Sequence, residues 1–219
     1  RQSSAASDVY KRQMVVSAHP LASKVGLEIL KQGGNAVDAA VAVQFALAVV
    51  YPSAGNIGGG GFFVYRSKQG EFASLDFREK APSGSYRDMY LDSAGNVIEN
   101  LSLKGHLASG VPGTVDGMVE IHDSLGNLNW ETLIQPAIDL AYNGFSLTFK
   151  EAEKLTYFTK YKIIDSTYNP YYKPNYVEGD TLILSDLGQT LEAIRDFKRD
   201  GFYSGKVAYK LVEEMKNNY

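Results

Sequence analysis

Cysteine is missing from all 219 residues. Its absence excludes disulfides, thiolate metal sites and a cysteine nucleophile, and it does not place the compartment. No long basic run is present, and the formal net charge is -3. That balance argues against a nucleic-acid or anionic-membrane partner. The three histidines, His19, His106 and His122, stand far apart and not at metal-ligand spacing. For each, a surface or hydrogen-bonded structural role is the expectation. No HExxH, GxSxG or paired-carboxylate signature stands out, so metalloprotease, esterase and glycosidase readings have no support. Hydrophobic runs of membrane length are also lacking. The longest, Ala36 to Val50, would span ~22 Å as a helix, short of the ~30 Å of a bilayer core. Asp38 and Gln44 interrupt it. It reads as a helix buried in a globular core.

What is present fits a globular body. The apolar fraction is 44% and the charged fraction 21%, both near the average for folded domains. Residues 1–13 are polar and lack an apolar core. They read as a disordered or non-native tail and not as a signal peptide, with ordered structure beginning near Met14. The run Met14 to Ala18 reads as a short buried strand. Pro20 suits the first turn of a helix, which Gly33 and Gly34 stop with positive φ angles. Asn35 then caps the next helix, with Asp38 in capping-box position. That second helix is apolar on nearly every face and must be covered on both sides. A layered body of helices and sheet follows.

Tyr51 to Gly61 is a glycine-rich loop. It leads into a β-hairpin, GFFVYRS and EFASLDFRE, around a turn at Gln69-Gly70. Residues 81–113 read as irregular, with a turn at Asp92 to Asn96 and a corner at Gly110 to Gly113. Helices are predicted over Thr114 to His122, Trp130 to Tyr142 and Lys150 to Tyr157. Tyr157 to Tyr176 reads as a long surface loop. Ser185 caps a helix running to about Arg199 with Gly201 beyond it, and Ser204 caps a last one. The sequence stops after MKNNY without a closing feature, which reads as truncation.

Two motifs invite chemistry. Gly58 to Gly61 resembles a phosphate cradle, but a cradle should open a helix and carry a following Lys and Ser/Thr. Here a strand follows, so close backbone packing is the better reading. Arg78 falls at the end of the second hairpin strand, in LDFREKAP. It reads either as a surface arginine paired with Asp76 or Glu79, or as a fork gripping a substrate carboxylate at the mouth of a cleft.

Several segments together resemble the γ-glutamyltranspeptidases, most closely the bacterial members. VVSAHPLASKVGLEILKQGGNAVDAAVA is similar to their first strand and helical hairpin. YPSAGNIGGGGFFVYRSKQGEFASLDFREKAP is similar to their glycine loop and following hairpin. HLASGVPGTVDG, QPAIDLAYNGF and DGFYSGKVA follow in the same order. Each piece alone is weak, and the five in order are strong.

The resemblance implies an α/β (α+β) fold of the N-terminal nucleophile hydrolase type, a four-layer αββα sandwich that is incomplete in this chain. Residues 14–219 would be part of the large subunit of a self-cleaving precursor. The small subunit would supply a threonine whose hydroxyl attacks the γ-glutamyl carbonyl, with its own α-amine as base. Glutathione or a related γ-glutamyl compound would be the donor, and no cofactor, metal, nucleic acid or membrane partner is implied. The resemblance carries one role to this chain, Arg78 as the arginine that binds the donor's α-carboxylate. The threonine start of the small subunit is absent, so no catalytic residue is expected here. The family resemblance also implies a periplasmic or secreted location. Two rivals stand beside this reading: an acylase of the cephalosporin or poly-γ-glutamate type, and a non-catalytic binding scaffold.

Overall fold

The computed structural model describes residues 13–160, 173 and 175–217. The described residues form two compact units. One runs up to Asn56 and resumes over His122–Asp196, and the other comprises Ile57–Ile121 and the residues from Phe197 on.

The first unit is built on a helical hairpin, α1 (Pro20–Lys31) and α2 (Ala36–Val50). Pro20 occupies the first helical position of α1, where its missing N–H costs nothing. Gly33, at φ 94°, ends that helix in a conformation that favours glycine. Gly34 has no positive φ, contrary to expectation. It is required by proximity, since a Cβ there would lie 2.8 Å from the Ile29 side chain. The capping box at Asn35 and Asp38 is present in full. In α2, ten of fifteen residues are buried, Phe45 completely. Phe45 meets Trp130 edge to face at 5.7 Å, which joins α2 to α4 (Trp130–Asn143). The Trp130 indole N–H donates to the Ile194 carbonyl at 3.0 Å and ties in α6 (Ser185–Phe197). Gly144, at φ 74°, stops α4 and leads into β3 (Phe145–Ser146), which pairs antiparallel with β4 (Thr181–Leu182). Between them lies α5 (Phe149–Lys160).

The second unit holds the expected hairpin, β1 (Phe62–Arg66) and β2 (Phe72–Asp76), with Phe62 opposite Asp76 and Arg66 opposite Phe72. Gly70 turns it at φ 91°. A short 3-10 turn (His106–Ala108) precedes α3 (Thr114–Leu125), and α7 (Asp200–Tyr203) precedes α8 (Gly205–Asn217).

The mixed helix-and-strand character agrees with the sequence. The described residues contribute two sheets of two strands each, fewer than a two-sheet sandwich needs. Two further local readings are corrected. Residues 14–18 form no ladder: Met14 and Val16 point outward, 84% and 81% exposed, while Val15 packs against Gly26 and Ser17 hydrogen-bonds the Ser23 hydroxyl. The expected surface loop from Tyr157 begins as the last turn of α5, and Tyr176 at its far end is buried. Residues 161–172 and 174 lie outside the described residues. Gly201 lies beyond the end of α6, as expected, within the single turn α7. No helix among the described residues is long and apolar enough to cross a membrane.

Candidate functional site

The strand β2 ends where its own sequence bends it. The Asp76 carboxylate accepts the Arg78 backbone N–H at 3.0 Å, a local turn that competes with continued pairing. Phe77 keeps one more contact with the glycine loop by donating to the Gly61 carbonyl at 3.0 Å. Lys80 and Val111 then form an isolated antiparallel bridge. Arg78 therefore sits two residues past the strand, on a backbone held at both ends.

The glycines around it act by closeness. A Cβ on Gly60 would lie 2.5 Å from the Phe77 carbonyl oxygen and 2.7 Å from the Arg78 Cα. A Cβ on Gly113 would lie 2.0 Å from that same oxygen. Only hydrogen fits at either point. This agrees with the packing role read for the loop at Gly60 and Gly61 but not at Gly58, whose Cβ would meet nothing within 4 Å, and a strand follows the loop, as a nucleotide cradle would not allow.

Arg78 lines a cavity of about 310 Å³, together with Asp76, Lys80, Asp116, Glu120 and Tyr203. Its side chain is 65% exposed, and its ion pair with Glu79 is at the outer limit, 3.9 Å. The guanidinium also stands 5.9 Å from the Phe62 ring centroid, a weak attraction at an exposed site. Neither contact occupies the paired N–H groups in the planar geometry a carboxylate offers. Arg199 is the contrast. It binds the Asp116 carboxylate and, at 2.8 Å, that of Glu120. Those hydrogen bonds, Asp116 first, raise its pKa above the ordinary arginine value. Asp116 and Glu120 are thus already answered by a cation, and of the two other cations lining this cavity, Arg78 and Lys80, Arg78 alone has the planar fork that matches a carboxylate.

The sequence singled out Arg78 alone. It missed Asp116 and Glu120, one turn apart on α3, and Arg199 and Tyr203, which approach from the other end of the chain. The spacing of the two acids was a readable signal, but nothing local announces their partners. The histidines lie elsewhere. His19 is buried and pairs with Glu151 at 2.8 Å, and His106 stands 3.3 Å from Glu214. His122 meets the Leu128 carbonyl at 2.8 Å. Among the described residues, no cluster of three or more His, Asp or Glu is placed to hold a metal ion.

Comparison with known proteins fits this backbone and this sequence. The family described as gamma-glutamyltranspeptidase matches residues 22–218. The glutathione hydrolase proenzyme of Pseudomonas sp. strain A14 is 49% identical over 207 residues, covering 93% of this chain and 36% of that protein. The glutathione hydrolase proenzyme of Escherichia coli K12 is 42% identical over 222 aligned positions, covering 95% and 37%. The crystal structure of Helicobacter pylori γ-glutamyltranspeptidase superposes with a TM-score of 0.89 at 46% identity, covering 94% of this chain and 60% of that one. The chain belongs to the γ-glutamyltranspeptidase family. It spans little more than a third of the length of the curated relatives it matches.

Proposed function

We propose that this chain contributes the donor-carboxylate subsite of an enzyme that hydrolyses or transfers the γ-glutamyl group of glutathione and related compounds. One observation carries the reading: an exposed arginine fork at a cavity, with only a loose ion pair to Glu79. The donor's α-carboxylate takes two parallel N–H···O bonds from Arg78. That grip leaves the γ-carbonyl oriented toward a nucleophile supplied from outside this chain.

In this reading the nucleophile is the N-terminal threonine of a small subunit cut from the same precursor. Its hydroxyl oxygen bonds to the γ-carbonyl carbon while its own α-amine takes the proton. Backbone N–H groups hold the oxyanion. The departing amine collects the proton, and an ester of the threonine remains. Water or an acceptor amine attacks that ester and releases glutamate or a new γ-glutamyl compound, restoring the hydroxyl. Acyl transfer of this kind needs neither metal nor organic cofactor. The names of the relatives, glutathione hydrolase proenzymes, support a precursor and this donor class. An exported, periplasmic or secreted enzyme completes the proposal.

The test is Arg78→Ala in a precursor of the relatives' length. Loss of one partner of a desolvated charge pair costs about 2–5 kcal/mol. The value of kcat/KM for a γ-glutamyl anilide should fall accordingly. An unchanged value would return Arg78 to the status of a surface residue.

A further inference from the structure

The segment DGFYSG, which includes α7, has no part in the reading above, yet it reaches the same cavity. The Tyr203 hydroxyl donates to the Pro112 carbonyl oxygen at 2.9 Å. The same oxygen of Tyr203 accepts the Asp116 backbone N–H at 3.2 Å. Pro112 and Asp116 are four residues apart, the separation of a helical hydrogen bond. But α3 begins at Thr114, so Asp116 carries one of the first N–H groups that no helical carbonyl satisfies. The phenol stands in the gap and joins the two groups that the helix itself does not. Burial, partly offset by the Asp116 N–H, pushes the Tyr203 hydroxyl above its ordinary pKa. It therefore keeps its proton for Pro112 at neutral pH.

What this fixes is the Pro112–Gly113 corner. The Gly113 N–H donates to the Gly59 carbonyl at 2.8 Å. Its Cα presses on the backbone of Phe77 and Arg78, so closely that a Cβ would lie 3.0 Å from the Arg78 carbonyl oxygen. Gly60 bears on the same two residues. Arg199, which precedes α7, binds Asp116 and Glu120 and holds the segment to α3.

We infer that Tyr203 is a positioning residue for the carboxylate clamp: it sets the corner against which the Arg78 backbone is seated. The inference rests on the reading of Arg78 as that clamp. Loss of the phenol would leave the Pro112 carbonyl and the Asp116 N–H without their partner. The corner would relax and the fork would lose its aim.

The experiment uses a full-length precursor and four variants: Tyr203→Phe, Gly113→Ala, Arg78→Lys, and Tyr203→Phe combined with Arg78→Lys. Gly113→Ala disturbs the same corner by crowding the Phe77 carbonyl, and Tyr203→Phe, which removes only a hydroxyl, keeps the test readable if the crowded variant fails to fold. The probe is a γ-glutamyl anilide. Tyr203→Phe should raise KM about three- to tenfold, the scale of one lost hydrogen bond. Its kcat should stay within about twofold, the signature of lost uniform binding. Gly113→Ala should show the same split. In the Arg78→Lys background, where the paired fork is already gone, Tyr203→Phe should change KM by less than about twofold. An equal change with and without the Arg78 fork would make Tyr203 a general structural residue and overturn the inference. So would an unchanged KM in both corner variants. Wild-type kinetics in Arg78→Lys and Arg78→Ala would instead sink the underlying reading of Arg78.

Discussion

Asp38 concentrates the fold of the first unit into one side chain. It is fully buried. Its Oδ2 accepts the Asn35 N–H at 2.8 Å, and its Oδ1 accepts the N–H groups of Asn127 and Leu128 at 2.9 and 3.3 Å. One carboxylate thus caps α2 and pins the turn between α3 and α4. Asp38→Ala leaves three backbone donors, those of Asn35, Asn127 and Leu128, without their acceptor. Hydrogen bonds to a charged group contribute about 1.5–3 kcal/mol each, and water reaches some of the orphans, so a loss of about 3 kcal/mol is expected. Urea unfolding measures it. Asp38→Asn should recover part of the loss, since an amide oxygen serves one side of the arrangement but not both. Equal midpoints for Asp38→Ala and the wild type would reduce Asp38 to a local cap. Half of this role was legible in the sequence. Asn35 and Asp38 are three apart, and a capping box is a local pattern. The other half joins residues 89 and 90 positions apart, and no spacing rule reaches that far. Arg78 divides the same way. Its place at the end of a strand could be read, whereas the Tyr203 contact that seats it comes from the far end of the chain.

At the scale of elements, the hairpin and the helix starts followed from turn chemistry and periodicity, while the helix ends were less exact and the joints between elements did not follow. The start of α1 is the case in point. Pro20 marked it correctly, but the cap is His19, outside the usual capping set. Its Nδ1 accepts the Leu21 N–H at 3.2 Å, so Nε2 carries the hydrogen and donates to Glu151 at 2.8 Å. Glu151 in turn accepts the Thr148 N–H and hydroxyl, each at 2.8 Å, at the start of α5. A pair of helix starts is thereby locked by one imidazole–carboxylate contact. Burial pushes the Glu151 carboxyl up, but the Thr148 donors and His19 outweigh it, and its pKa lies below the ordinary 4.5. The sign follows from linkage. With the folded value depressed, the stabilisation is whole above the ordinary value and is lost as pH falls through the folded one. Glu151→Gln cannot titrate. Its deficit against the wild type, read from urea midpoints, should be largest near neutrality and shrink as pH drops below the ordinary carboxylate value. A deficit constant with pH would assign the contact to packing alone. The misread strand at 14–18 has a related cause. An apolar run fixes burial of some residues, and only a neighbouring edge makes it a strand.

For the molecule as a whole, the β1–β2 hairpin poses the sharpest demand. Its register puts Phe62, Val64 and Phe72 on one face, and they are 66%, 80% and 76% exposed. A two-stranded hairpin is marginal by itself, and apolar side chains clustered in the open mark a surface made to be covered. The chain spans little more than a third of its curated relatives. In the proposed enzyme the attacking hydroxyl comes from beyond these residues, along with chain available to cover that face. Two measurements on one sample then test a single idea. On the proposal that Arg78 holds the carboxylate and the attacking hydroxyl comes from outside the chain, the purified 219-residue chain should give no turnover of a γ-glutamyl donor. It should also bind an apolar dye at the open hairpin, more strongly per chain than a precursor of the relatives' length. Val64→Lys, on the exposed face and away from the cavity, should lower dye binding by the short chain. Turnover by the short chain would end the division of labour proposed between Arg78 and an external nucleophile. Equal dye binding by both lengths, insensitive to Val64→Lys, would mean that the hairpin face stays open in the complete protein.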